Sequence, residues 1–297
     1  MTLYYTDQYE IPLPAGHKFP LRKYRLLREA LTQASRFDFA PAPLVDVPAL
    51  ERVHTPEYVR AFVDGTLPAP AMRRIGLPWS NELVLRSLAS VGSTMAATKD
   101  ALADGWGGGL AGGTHHAFRD EGAGFCVFND IAVAIADLLA VGRIQRASVI
   151  DLDVHQGDGT AKIFEIEPRV FTASVHGKHN FPFRKQRSRL DIELPDSTGD
   201  DQFLDAVGEA VARAFEFQPD VVYFQAGVDG LATDKLGRMQ LTHDGLKERD
   251  RLVFSACAAK GVPCVVVMGG GYSDPIENTV QAHVNTYLLA ADLIPRI

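Results

Sequence analysis

Short apolar runs alternating with long amphipathic stretches constrain this chain more than any other feature. Pro263 to Met268 is apolar at every position, and Val221 to Ala226 is nearly so. A strand without a polar face must be covered on both sides, which is the situation of a parallel sheet between two helical layers. Val149 and Ile150 open another such run, and Val170 to Val175 is a fourth, rich in β-branched residues. Helical patterns fill the intervals. Tyr24, Leu27 and Leu31 share one stripe of a helix predicted over 22–34, and Val84, Leu88, Val91 and Met95 line one behind a capping Ser80. Thr55 and Pro56 suit a helix cap and first turn. Further helices are predicted over 131–140, 200–217, 242–260 (closed by Gly261) and 275–289. A short strand is expected at Val45 to Val47. With no linker in 1–297, the expectation is one α/β domain, a mainly parallel central sheet flanked by helices.

Parallel sheets place their sites at the carboxyl ends of the strands. Four of these ends carry unusual residues. Ala147 to Thr160 reads A-S-V-I-D-L-D-V-H-Q-G-D-G-T, with Asp151, Asp153 and His155 at alternate positions, on one face of an extended chain. Gly157 to Gly159 reads as a turn. Gly105 to Gly113 is dense in glycine and leads to His115-His116. No Gly-Lys-Ser/Thr follows it, so close backbone approach behind the histidines is a better reading than phosphate binding. Asp234 lies beyond Ala226, and Tyr272 follows Met268 and three glycines.

Each piece alone has an ordinary explanation: a buried histidine pair, a surface aspartate, a glycine turn. Together they describe metal-assisted amide hydrolysis. An Asp/His/Asp set suits zinc with a fourth position open to water. A free histidine would move the proton, and a tyrosine hydroxyl would stabilise an oxyanion.

With those residues in view, the chain resembles the histone deacetylase family, from His17-Lys18-Phe19-Pro20 to Gly269-Gly270-Gly271-Tyr272. The shared motifs are G-G-T-H-H-A, G-F-C-V-F-N-D, D-L-D-V-H-Q-G-D-G-T, A-G-V-D-G-L-A-T-D-K-L-G and G-G-G-Y. The resemblance implies an arginase/deacetylase-like fold and Zn2+ held by Asp153, His155 and Asp234, with Fe2+ as an alternative ion. It implies His116 as general base and acid supported by Asp158, His115 as electrostatic partner supported by Asp151, and Tyr272 polarising the acyl carbonyl. Phe125 would line the substrate channel, with Phe181 or Phe183 opposite and Gly124 accepting a bond from the substrate amide. Structural K+ is implied near Asp151, Asp153, His155, Ser174 and Val175. Gln156, where many members have a second histidine, is similar to the class IV-like branch and its bacterial relatives. Thr114 replaces an aromatic residue common before the histidine pair.

The expected substrate is an acylated lysine or a small acylated amine, acetylpolyamines included. A binuclear manganese ureohydrolase is a weaker alternative, because its G-G-D-H and D-A-H-x-D runs read G-G-T-H and D-V-H-Q-G-D here. A non-enzymatic binding module is disfavoured by the intact histidines and tyrosine. A formal net charge of −7 argues against direct nucleic-acid binding. Three cysteines suit reduced thiols. Met1 to Tyr5 is not a signal peptide, and no run reaches the ~20 apolar residues of a membrane span, so a cytoplasmic location is expected. Residues 177–189 are basic and irregular, and are expected to form a loop at the rim of a pocket. Nothing in the chain specifies an oligomeric state.

Overall fold

The computed structural model describes residues 1–295. In chain order its elements are β1 (Thr2–Tyr5), α1 (Arg22–Gln33), β2 (Asp38–Pro41), α2 (Val47–Leu50), α3 (Pro56–Val63), α4 (Ala69–Ile75), α5 (Asn81–Asp104) and β3 (Trp106–Gly109). Then follow α6 (Asp130–Ala140), β4 (Ala147–Asp151), α7 (Asp158–Phe164), β5 (Val170–Gly177), β6 (Leu190–Leu194), α8 (Asp200–Glu216), β7 (Val221–Gln225), α9 (His243–Lys260), β8 (Cys264–Val267) and α10 (Glu277–Leu293).

All eight strands join one sheet in the order β2-β1-β3-β8-β7-β4-β5-β6, and every pairing is parallel. Both faces are covered. One apolar core gathers Leu27, Phe203, Val253 and Tyr287 from α1, α8, α9 and α10. The other gathers Phe62, Val91, Ile131 and Ile163 from α3, α5, α6 and α7. Burial on both faces explains why β4, β5, β7 and β8 are buried at every residue. From β4 the chain builds outward through β5 and β6, then returns to place β7 on the other side of β4. This reversal opens a crevice between the carboxyl ends of β4 and β7, where open α/β sheets bind ligands.

The predicted caps hold. Thr55 and Ser80 each accept a bond from a first-turn amide, and Gly261 closes α9 in the left-handed conformation; Thr242, expected inside that helix, caps it in the same way. Two local expectations are corrected. Val45 to Val47 is not a strand: the Asp46 carboxylate caps α2 by accepting from the Ala49 amide at 3.0 Å, and the edge strand lies earlier, at β2. The turn expected at Gly157 to Gly159 instead begins α7. The glycine-rich run is itself strand β3, inside the sheet. A Cβ on Gly107 would stand 2.0 Å from the Ala97 carbonyl oxygen, so the run lets α5 lie directly on the sheet. No helix among the described residues is long and apolar enough to cross a membrane.

Candidate active site

The chain leaves β4 through tight side-chain-to-backbone turns. Asp151 Oδ1 accepts from the Asp153 amide at 3.2 Å, and Asp153 Oδ1 from the His155 amide at 3.0 Å. Asp151, Asp153 and His155 are therefore presented in succession at the strand end. From β7, Asp229 reaches across: its Oδ1 accepts from the Val154 amide at 2.9 Å and its Oδ2 lies 3.0 Å from His155 Nδ1. Ligand atoms of Asp153, His155 and Asp229 all fall within 4.8 Å of one another, and all three residues are buried. Gly270 fits between them because it has no side chain. A Cβ there would stand 1.9 Å from the Asp229 carboxylate, and its amide donates to Asp153 Oδ2 at 2.7 Å.

The third member of this set is Asp229, which corrects the expectation of Asp234. The Asp234 carboxylate is turned to backbone, accepting from the amides of Leu236 (2.8 Å), Gly237 (2.9 Å) and Tyr272 (2.6 Å). Both aspartates lie in A-G-V-D-G-L-A-T-D. The available signal was distance from the strand: Asp229 follows the end of β7 by four residues.

The electrostatics fit a missing cation. Burial, then the Asp153 carboxylate, push the Asp229 carboxyl up to about 7. Burial alone would lower the His155 imidazole, but Asp229 and Asp153 outweigh it and raise it to about 10. Two carboxylates and an imidazole nitrogen crowded in a dry pocket are the donor set that a borderline divalent ion satisfies.

His115 and His116 sit at the bend after β3, with ring centroids 4.1 Å apart. The bend lets neighbouring side chains face the same way. His115 Nδ1 lies 2.7 Å from Asp151 and His116 Nδ1 2.7 Å from Asp158. Burial would lower His115, but the Asp151 and Asp153 carboxylates outweigh it and raise it to about 9. Burial, then the adjacent His115, hold His116 down at about 4, against the pull of Asp158. Burial pushes the Tyr272 phenol well above its ordinary value, so it is a hydroxyl donor at neutral pH.

A cavity of about 420 Å³ leads to this floor. Phe125 lies on one wall, with ring centroids 5.4 Å from Phe19 and 6.1 Å from Tyr272. Phe181 meets the His116 ring edge-on at 4.9 Å, while Phe183 is 86% exposed, so Phe181 is the deeper of the pair. Gly124 also lines the cavity, as do His179 and Asn180 of the rim loop expected over 177–189. Gln156 ties that loop down: its amide donates to the Gln186 carbonyl and to Asp191, both at 2.8 Å, and its Oε1 accepts from the Gln186 amide at 2.8 Å.

Asp130, the first residue of α6, holds the histidine bend. Its fully buried carboxylate accepts from the amides of Gly113 (2.9 Å) and Thr114 (2.7 Å), and from the hydroxyls of Thr94 and Thr114. Asn129 caps α6. Thr114 thus anchors the loop; nothing in the sequence announced this pairing across sixteen positions.

A family model described as the histone deacetylase domain matches residues 17–287. The chain belongs to the histone deacetylase family. This is a family of deacetylase hydrolases with an arginase-like α/β fold. An uncharacterized protein of Picosynechococcus sp. is 44% identical over 294 residues, covering 97% of this chain and 98% of the relative. The histone deacetylase-like amidohydrolase of Pseudomonas aeruginosa is 32% identical over 285 residues, covering 89% and 74%. The chain spans about half the length of the Arabidopsis thaliana histone deacetylases 2 and 6 that it matches. Among solved structures, an HDAC homolog from Aquifex aeolicus superposes with a TM-score of 0.83 at 23% identity, covering 98% of this chain and 83% of that one. At that identity the likeness speaks for the fold.

Proposed function

We propose that this chain hydrolyses an N-acyl amide, that of acetyl-lysine or a similar acyl-lysine, to a carboxylate and a free amine. The observation that carries this reading is the convergence of Asp153, His155 and Asp229 within 4.8 Å at the floor of an aromatic-walled cavity, beside two histidine–aspartate pairs. Those three residues would hold the metal. A bound zinc ion, or ferrous iron in its place, supplies Lewis acidity that lowers the pKa of a water molecule to ~7 and polarises the acyl carbonyl.

His116 has Nδ1 engaged by Asp158, which leaves Nε2 to take a proton from water as its oxygen attacks the carbonyl carbon. The same nitrogen returns the proton to the departing amine as the C–N bond breaks. His115, paired with Asp151, stabilises charge beside it. The Tyr272 hydroxyl donates to the developing oxyanion. Phe125 and Phe181 would flank the acyl-lysine stem and exclude water, and the Gly124 carbonyl would accept from the substrate amide, a reading supported by all three residues lining the cavity. K+ near Asp151, Asp153, His155, Ser174 and Val175 belongs to the same reading, supported by the register pairing of Asp151 with Ser174 across β4 and β5. A cytoplasmic location fits three free, buried thiols. Against a binuclear ureohydrolase stands the finding of one candidate metal group among the described residues.

Two measurements test the reading together. Wild-type protein loaded with zinc should deacetylate an acetyl-lysine peptide, and Tyr272→Phe should lose roughly 10²–10³-fold in kcat. Elemental analysis should find about one zinc or iron ion per chain, lost in Asp229→Asn and retained in Asp234→Asn. Undiminished turnover in Tyr272→Phe, or two transition-metal ions per chain, would overturn the proposal.

A further inference from the structure

The charged groups of the cavity differ between floor and mouth. Asp153 and Asp229 bring carboxylates to the floor among Lys23, His115 and His155, whereas the charged groups that line the mouth are the arginines Arg74 and Arg238. Arg74 comes from the last turn of α4, and its carbonyl accepts from the Gly124 amide at 3.1 Å, which puts it on the Phe125 wall. Arg238 comes from the loop beyond β7. In the same loop the Leu236 carbonyl accepts from Asn180 at 2.8 Å, which puts Arg238 on the Phe181 side. Both arginine side chains are about half exposed, at 51% and 53%. Arg74 pairs with Glu121 at 2.9 Å and Arg238 with Asp196 at 3.2 Å, and Asp196 also serves His179. Neither Glu121 nor Asp196 lines the cavity, so the cation is the member of each pair turned to the opening.

The rim loop adds to this charge. Arg184 and Lys185 directly follow the cavity-lining Phe183, and residues 177–189 hold no acidic residue, in a chain whose formal net charge is −7. Lys185 donates to the carbonyls of Asn180 (2.6 Å) and Pro182 (2.9 Å), bracketing Phe181, and makes no ion pair among the described residues. Basic side chains on both walls of one opening in an acidic protein create a local positive field that steers and selects what enters.

We infer that the mouth selects acylated amines that carry negative charge close to the acylated nitrogen, such as an acyl-lysine flanked by acidic residues, and turns away polycationic acylamines. The inference rests on the deacylase reading above and narrows its substrate class. The charges act at entry, so discrimination appears in KM more than in kcat. A few partly exposed charge pairs shift affinity by roughly five- to twentyfold, and salt screens them.

The test uses full-length, zinc-loaded protein and acetyl-lysine peptides identical except for flanking Glu, Ala or Lys, with N-acetylputrescine as a small cation. Expected kcat/KM falls in the order Glu, Ala, Lys, with N-acetylputrescine poorest, and the spread contracts as salt rises. R74E/R238E should reverse the order of the Glu and Lys peptides. R251E, a charge reversal on the exposed face of α9, should leave that order intact. Equal rates on the charged peptides, or a preference for N-acetylputrescine, would overturn the inference while leaving the deacylase reading standing. Failure on every amide overturns that reading, and this inference with it.

Discussion

His115 and His116 are adjacent in the chain, and each meets an aspartate through Nδ1 at 2.7 Å, yet one is driven up to about 9 and the other down to about 4. Their bonds are alike, so the difference comes from what lies beyond the bond. His115 also faces Asp153, with Nε2 4.0 Å from that carboxylate. His116 faces His115 on one side and the edge of Phe181 on the other. A second carboxylate favours the charged ring, and a cationic neighbour with an apolar wall favours the neutral one. Two residues of one type are thereby held in opposite charge states without any change in their immediate partners, which suits the two roles proposed above.

The largest expected effect separates the two roles. His116→Ala should lower kcat/KM by roughly 10²–10⁴-fold, and His115→Ala about tenfold less severely. Steady-state kinetics on an acetyl-lysine peptide would show it, and equal losses would erase the distinction. Next comes the support of the bend. Asp130→Ala strands four buried donors and should cost about 2–4 kcal/mol in urea unfolding, with a fall in kcat as the histidines lose their fixed spacing. Full activity in a destabilised variant would show that the bend keeps its geometry without Asp130.

The smallest effect concerns the segment just after His116. His54 receives the Asn129 amide on Nε2 at 3.0 Å and lies 2.9 Å from the Phe118 carbonyl through Nδ1, so it is held as the neutral tautomer. Burial lowers it to about 4. Between 6.5 and 4 the unfolded chain binds a proton that the folded chain refuses, so stability present above pH 6.5 is lost as pH falls. The loss reaches about 2 kcal/mol by pH 5. Thermal melts of His54→Gln should show a shallower decline over this window, and identical slopes would remove His54 from the account.

The sheet was legible in advance because strands buried on both faces cannot hide their composition, and two helix caps because Thr55 and Ser80 act within their own first turns. The short elements were harder. In Trp106-Gly107-Gly108-Gly109 only the tryptophan has a strand-forming side chain, and the three glycines are explained by contact with α5 and other close neighbours. In the site, Asp153, His155 and the histidine pair follow from local order along one segment. Asp229 and Asp130 do not, since each acts on a partner far along the chain: Asp229 on His155, Asp130 on Thr114. Two aspartates five positions apart look alike until the backbone turns one of them inward.

Asp234 turns out to be a fastener between two loops. Its carboxylate grips the Tyr272 amide, and the segment also pairs as an isolated antiparallel bridge with Ser273. The loop that carries Asp229 and the loop that carries the tyrosine are thereby pinned together. A molecule that displaces one must drag the other, so inhibitors reaching only the floor will register at the tyrosine as well.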